Sequence, residues 1–410
     1  MKIDKVPYSK KVCLLSDHHI CMNPRLWKEA FFYEKLGFDV IIITMWQSEQ
    51  LLLKDKEILK GHSILYEPYL NLIVWQINPL SRFFYRLRKR LGNELQKHFN
   101  IGTGWAISHA PEKMFKKAIT INADLYSAHL ECAFFVGREL LKAGKKVSFD
   151  FEDWYSHDYL VPERPVKLLE QIEKYALENG LFCTAASSSM ANALKNYYNV
   201  NNEITVIYNG FPKDEAINFN AYKSFEENAI APLKLLWFSR TIGPDRGIEF
   251  LLNALKDCQL PIELHLLGDM AKGYNQFLEN IFPYNKGHLL KIHAFMQHSK
   301  LLGFLAQFKI GLAIEENVND NKQLTITNKI LQYLQAGLLV IASNTKGQRE
   351  VAEYFSESVK IVDLNDKQSI VNAIKLYSKK EKINQQNQFE SIFSWEAQEE
   401  KLLKIIVQYL

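Results

Sequence analysis

The sequence predicts an α/β protein of two doubly wound domains, and three observations predict it. The apolar runs of strand length are continuous rather than alternating, as in parallel strands covered on both faces. These runs alternate with amphipathic segments of helical length. At 410 residues the chain exceeds one ordinary hydrophobic core. Hydrophobic residues at 47% and charged residues at 23% describe a folded globular chain without compositional disorder. The net charge of +4 is too small for the electrostatic footprint of a nucleic-acid binder, so no nucleic acid is expected as a partner.

In chain order, "KVCLLS" (Lys11–Ser16) and "FDVIIIT" (Phe38–Thr44) read as the first strands. Between them "PRLWKEAFFYEKLG" opens at Pro24 and closes at Gly37, a helix with its start and stop signals in place. Strand, helix, strand is a βαβ unit. Further strands are expected at Leu72–Ile77, Asp124–His129, Lys146–Phe151 and Leu181–Ala186, then a final strand and a turn over "EITVIYNGFP" (Glu203–Pro212), with helices at Glu131–Ala143, Pro165–Glu178 and Ser187–Tyr198. The first domain is placed at 1–210 and a polar linker at 211–232. A second series, "LKLLWFS", "IELHLLG", "LLKIHAF", "KIGLAI", "LLVIAS" and "VKIVD", makes the second domain at 233–390, followed by a C-terminal helix within 391–410 expected to cross back to the first.

The five cysteines (Cys13, Cys21, Cys132, Cys183, Cys258) lie scattered, without a CxxC pair or zinc spacing, so reduced thiols of a cytosolic protein are expected. The apolar run Val12–Leu15 near the start is shorter than the roughly 7–15 residues of a signal-peptide core. No stretch reaches the ~20 apolar residues of a membrane span. The expected location is the cytoplasm, or the inner face of the cytoplasmic membrane as a peripheral protein.

Open α/β sheets bind ligands beyond the carboxyl ends of their strands, and two such domains would face each other across a cleft. After "LLWFS" comes "RTIGPDRG", which places Arg240, Arg246 and Gly247 before a helix from Ile248. Two guanidiniums beside a helix N-terminus suit a diphosphate. After "KIGLAI" comes "LTITNKILQYLQAGLLVIASNTKGQREV" (Leu324–Val351), where a helix buries Ile330, Leu331 and Leu334 and carries Asn328 and Gln332 on its other side. Lys329 stands in its first turn, a position disfavoured for a cation unless an anion neutralises it. The loop "SNTKGQRE" (Ser343–Glu350) also opens a helix, with backbone amides suited to a phosphate. No G-x-G-x-x-G follows a predicted strand, which argues against a dinucleotide oxidoreductase.

Taken in order, these stretches resemble the retaining GT-B glycosyltransferases of the large family-4 group. "MNPRLWKEAFFYEKLGFDVIII" resembles that family's first βαβ, "ADLYSAHLE" its histidine-bearing strand end, and "VSFDFEDWYS" its D-x-H-E-x-Y segment. "FCTAASSSMANALKNYYNV", "ITVIYNG", "WFSRTIGPDRGIEFLLNAL" and the last "FSWEAQEEKLLKIIVQYL" resemble the pieces that follow, so the likeness runs along nearly the whole chain. It implies Arg240 at the family's arginine, Arg246 at its lysine, and His129 at the histidine that contacts the transferred sugar. Ser239, Thr325, Thr327, Asn328, Lys329, Gln332 and Glu316 complete the implied donor side, and Asn23, Arg25, Asp150 and Glu152 the acceptor side.

The sequence departs from the pattern in two places. The E-x7-E spacing puts Thr325 at the first glutamate and Gln332 at the second, with Glu315 or Glu316 as a replacement carboxylate, and "NKILQY" resembles the N-K-x-x-E-Y branch. Glu152 stands where histidine is usual. The resemblance implies transfer of a sugar from a nucleoside diphosphate sugar, UDP-linked first and GDP-linked second, to a hydroxyl of a glycan or lipid-linked acceptor, with retention. No DxD-like pair is placed for a metal, and arginines can take its role, so no metal or other cofactor is expected. An inverting or epimerase relative and a catalytically inactive GT-B scaffold are the competing readings. Finally, "SRFFYRLRKRLGNELQKHF" (Ser81–Phe99) mixes arginines with aromatics, a composition suited to contact with anionic lipid.

Overall fold

The computed structural model describes residues 10–73, 76–158, 161–213, 232–296 and 298–409. They form two compact units. The first comprises Met1–Ala186, Met190–Ile207 and Lys401–Leu410, the second Ser187–Ser189 and Tyr208–Glu400. The division thus falls at 207/208, and again inside the last helix, Trp395–Tyr409. Of the linker expected at 211–232, residues 214–231 lie outside the described residues.

The first unit is built on seven parallel strands: β1 (Lys11–Leu15), β2 (Asp39–Trp46), β3 (Leu65–Asn71), β4 (Leu125–His129), β5 (Val147–Phe151), β6 (Cys183–Ala185) and β7 (Ile204–Val206), in the order β3-β2-β1-β4-β5-β6-β7. Strands β1, β4 and β5 are almost wholly buried, which explains their unbroken apolar runs. One strand is corrected. The expected strand at Leu72–Ile77 is absent from the described part of that stretch, whose residues 74–75 lie outside the description, and β3 is the preceding "LYEPYLN". β3 is an edge strand, where Pro68 is tolerated because one side of the backbone needs no ladder partner.

The second unit repeats the plan with β8 (Leu233–Ile242), β9 (Ile262–Met270), β10 (Leu289–His293), β11 (Ile310–Ala313), β12 (Leu339–Ser343) and β13 (Val359–Val362), ordered β10-β9-β8-β11-β12-β13. Its core joins Leu235, Trp237, Leu264, Leu266, Leu312 and Ile341 of the strands to Leu251 and Ile374 of flanking helices. Burial of such side chains stabilises by about 1.5–3 kcal/mol each.

In each sheet the winding direction reverses once, between β1 and β4 and between β8 and β11. These are the topological switch points where open sheets part and ligands enter. At the second, β8 and β11 pair only through Leu235↔Ile310 and Leu236↔Gly311. Tyr333, from the helix Asn328–Gln335, bridges the gap beyond: its hydroxyl donates to Leu236 O at 3.1 Å and accepts the Phe238 N–H at 3.2 Å. The ring lies against residue 311, where any Cβ would come within 2.5 Å of it, so only glycine fits there. Tyr333 thereby holds the "NKILQY" helix over the mouth of the second sheet.

Candidate functional site

At the second switch point, strand β8 shifts register between Phe238 and Thr241, so Ser239 and Arg240 form a bulge. Gly268 of β9 permits it: with φ +152° it lies so near the Ser239 carbonyl that a Cβ would stand 2.3 Å from the oxygen. The bulge leaves Arg240 exposed. Arg246 is also exposed, its Nη1 lying 3.4 Å from Ser239 Oγ. Gly247, at φ +78°, opens the helix Ile248–Leu255, and its N–H is accepted by Glu316 Oε1 at 2.9 Å. The structure therefore brings Ser239, Arg246, Gly247 and Glu316 together.

Lys329 answers the question its position raised. Its ammonium is buried, pairs with Glu315 and lies 5.2 Å over the Trp237 ring, so a carboxylate of the same unit neutralises the cation. Asn328 is exposed, and its Oδ1 accepts from Asn209 Nδ2 at 3.0 Å. Gln332, one turn on, is buried. Thr325 donates its hydroxyl to Asn321 O at 2.8 Å. Thr327 precedes the helix without capping it, and its hydroxyl is buried with no partner among the described residues. The helix that starts inside "SNTKG", Lys346–Tyr354, is closed: Thr345 caps the Gln348 N–H at 3.2 Å, and a Cβ on Gly347 would lie 2.4 Å from Thr325 O. Its Lys346 and Gln348 amides donate to Gln323 Oε1 and Thr345 Oγ1, contrary to the expectation that they face a phosphate.

At the first switch point charges are sealed in. Arg25 forms a two-point pair with Asp150, Nε–Oδ2 at 2.8 Å and Nη2–Oδ1 at 2.5 Å, and its Nη1 donates to Ile207 O. Thr184 donates to the same carboxylate at 2.5 Å. Burial opposes ionisation of Asp150, but Arg25, His129 and these hydrogen bonds outweigh it and hold the carboxyl at about 2. His129 is fully enclosed: Nε2 meets Glu29 Oε2 at 2.8 Å and Nδ1 meets Glu152 Oε1 at 3.0 Å. Burial pushes the imidazole down, yet Glu29, Glu152 and Asp150 overcome it and raise it to about 10. Asn23 joins by donating to Glu152 at 2.5 Å. His129 in this structure has both nitrogens engaged and no open face for a sugar. His129, Asp150 and Glu152 each offer a ligand atom within 4.8 Å of the others. Those atoms already hold Arg25, Asn23 and one another, which makes the cluster a charge network.

Sequence reasoning missed two parts of this region. Glu29 falls four residues after Arg25, so both share the helix face that packs inward, and that spacing was the available signal. A cavity of about 300 Å³ also opens beyond β1, β2 and β4, lined by Asp17, His18, Gln47, Lys89, His109 and Glu131. Asp17 and His18 directly follow β1, the place where a ligand group is expected. Burial raises the Glu131 carboxyl even though Arg164 Nη2 pairs with it at 2.6 Å, and burial lowers both Lys89 and His109. Leu130, which turns the chain from His129 into the cavity wall, has φ +70°, a strained value for leucine.

No protein-family model matches the sequence, and no curated protein matches it. Solved structures do. HepE of Anabaena in complex with UDP superposes with a TM-score of 0.67 at 16% identity, covering 97% of this chain and 100% of that one. Sucrose-phosphate synthase from Thermosynechococcus elongatus gives 0.69 at 14% identity, with 97% and 98% covered. A glycosyltransferase from Rickettsia africae gives 0.66 at 15% identity, with 98% of both chains covered. At these identities the likeness establishes the fold: two parallel α/β sheets of the GT-B type along the whole chain.

Proposed function

We propose that the protein is a glycosyltransferase that moves a sugar from a UDP-sugar to a hydroxyl of a glycan or lipid-linked acceptor, with retention, in cell-surface polysaccharide or glycolipid synthesis. The carrying observation is the second switch point, where exposed Arg240 in the β8 bulge and exposed Arg246, directly before Gly247, precede the N-terminus of an eight-residue helix. That is a cation-lined, amide-lined position for a diphosphate. UDP in the HepE complex supports the choice of base.

In the proposed reaction the bond from the sugar's anomeric carbon to the diphosphate oxygen breaks, and the acceptor oxygen bonds to the same face of that carbon. The acceptor's proton passes to the departing phosphate. Arg240, Arg246 and the helix amides stabilise the charge that develops there, usually the largest catalytic contribution. A diphosphate on the Gly247 amide takes the position Glu316 now holds, and Lys329 comes within its field beside Glu315. The cavity of Asp17, Lys89 and Glu131 takes the acceptor. His129, held by Glu29, Glu152 and Asp150, anchors the chain next to Leu130, which lines that cavity. No divalent metal enters this scheme.

Thermal unfolding against UDP, GDP, ADP, TDP and CMP tests the donor site. A ligand at ~100 times its dissociation constant adds about 2.7 kcal/mol. A shift with UDP that Arg240→Ala and Arg246→Ala abolish supports the reading, and silence from every nucleotide and nucleotide sugar turns it to the inactive scaffold. NMR of the product's anomeric proton checks retention, and turnover in excess EDTA checks metal independence.

A further inference from the structure

Helix Pro79–Phe99 is amphipathic in the reverse sense for a protein surface. At 100° per residue, Leu80, Phe83, Phe84, Leu87 and Leu91 share an arc of about 100°. All of them are exposed, between 40% and 78%. The opposite face is the one held by the protein. Lys89 Nζ donates to Ala106 O at 2.6 Å and Ile107 O at 2.8 Å, and Gly92 lies so close that a Cβ would meet Ala106 N at 2.6 Å. The helix is therefore fixed with its apolar stripe outward.

The stripe has charged margins. Arg86 and Arg90 stand exposed along one side. Arg88, on the other, lies over Trp105 at 4.4 Å and Phe84 at 5.5 Å and pairs with Glu112 at 2.7 Å. Past Leu91 the stripe ends at the exposed pair Glu94–His98. Trp105 and Glu112 form the rim of a cavity of about 460 Å³ whose walls include Pro111, Phe115, Phe135 and Val136. An apolar band edged by arginines, beside an apolar cavity, matches the cross-section of a lipid leaflet: anionic headgroups at the level of the guanidiniums and hydrocarbon beyond them. A protein groove could cover the stripe, but it would leave the cavity unfilled and would need acidic residues along both margins.

We infer that this helix docks on an anionic lipid bilayer and that the cavity beside it takes one hydrocarbon chain of a lipid from that bilayer. The inference deepens the glycosyltransferase reading, on which it rests for its meaning, by selecting the lipid-linked acceptor. Lys89, on the opposite, protein-held face of the same helix, lines the cavity assigned to the acceptor, so one helix carries both the lipid-facing stripe and a wall of that cavity.

Vesicle sedimentation with the full chain tests it. Binding is expected to mixed phosphatidylcholine–phosphatidylglycerol vesicles, not to phosphatidylcholine alone, and to weaken with salt. Phe83→Glu with Leu87→Glu, both on exposed positions, should lower the bound fraction at least ~tenfold with an unchanged thermal midpoint. Phosphatidylglycerol brominated along its chains should quench Trp105, a component missing in Trp105→Phe. Equal binding by the double variant, or no binding to either vesicle, overturns the docking surface. Binding without quenching of Trp105 overturns the chain site. The UDP shift measured without lipid reports separately on the donor reading, because the double variant leaves the second unit untouched.

Discussion

The two switch points carry similar numbers of charges and treat them in opposite ways. Beyond β1 and β4, Arg25, Glu29, His129, Asp150 and Glu152 are locked together, with His129 at 0% exposure. Beyond β8 and β11, Arg240 and Arg246 are exposed, Glu316 accepts from the Gly247 amide and Glu315 pairs with Lys329. Strongly shifted ionisation usually marks a site of chemistry. Here it marks the foundation. On the proposed reading, a group that meets a ligand is left exposed or lightly held, while a group that must stay put is satisfied from all sides.

The largest effect should come from breaking the sealed network. Asp150→Ala strands the Arg25 guanidinium in a buried site and should cost about 3–5 kcal/mol of stability, read by urea unfolding. Arg246→Ala, on the exposed side, should change stability by less than about 0.5 kcal/mol. Equal losses in the two variants would remove the distinction. The exposed pair should instead register in catalysis: Arg240→Ala or Arg246→Ala should lower turnover about 10²–10³-fold, as the loss of one preorganised donor to a developing anion does. An effect confined to KM would assign them to ground-state binding only.

Raising the pH probes the network without mutation. His129, raised from 6.5 to about 10, is held more tightly as imidazolium in the folded state than in the unfolded one. Its contribution is therefore complete below pH 6.5 and lost as the pH climbs through about 10. Unfolding free energies should fall by several kcal/mol over that window, and His129→Asn should flatten the decline. A decline of equal size in His129→Asn would assign it to other groups, such as the tyrosines.

Most strands of both sheets were legible because double burial writes itself as unbroken apolar runs, and Pro24 and Gly37 punctuate the first helix. β3 escaped because an edge strand tolerates Pro68 and Glu67, which erase the apolar run. Arg246, Gly247 and Glu316 were readable from their place after β8 and β11. The cavity beyond β1 was not: residues 17, 47, 89, 109 and 131 meet only through the winding of the sheet, and no spacing encodes that. The helix Pro79–Phe99 showed its composition in the sequence but not its orientation. Periodicity identifies two faces, and the usual rule would have buried the leucines. Lys89 and Gly92 decide the matter through contacts 14–18 residues away.

The smallest effect is the most direct test of why the second switch point is loosely held. Lys329 lies in the first turn of its helix, where the dipole disfavours a cation, and Glu315 offsets both that and its burial. If a diphosphate is the intended anion, Glu315 competes with it for the same ammonium. Glu315→Gln keeps the shape and a hydrogen-bond acceptor for Lys329 while removing the competing charge. UDP affinity by calorimetry should then rise about three- to fivefold, since a partly screened single charge is worth under ~1 kcal/mol. An unchanged or weaker affinity would mean that Glu315 serves to aim Lys329 rather than to stand in for the ligand, and the second switch point would then be as pre-set as the first.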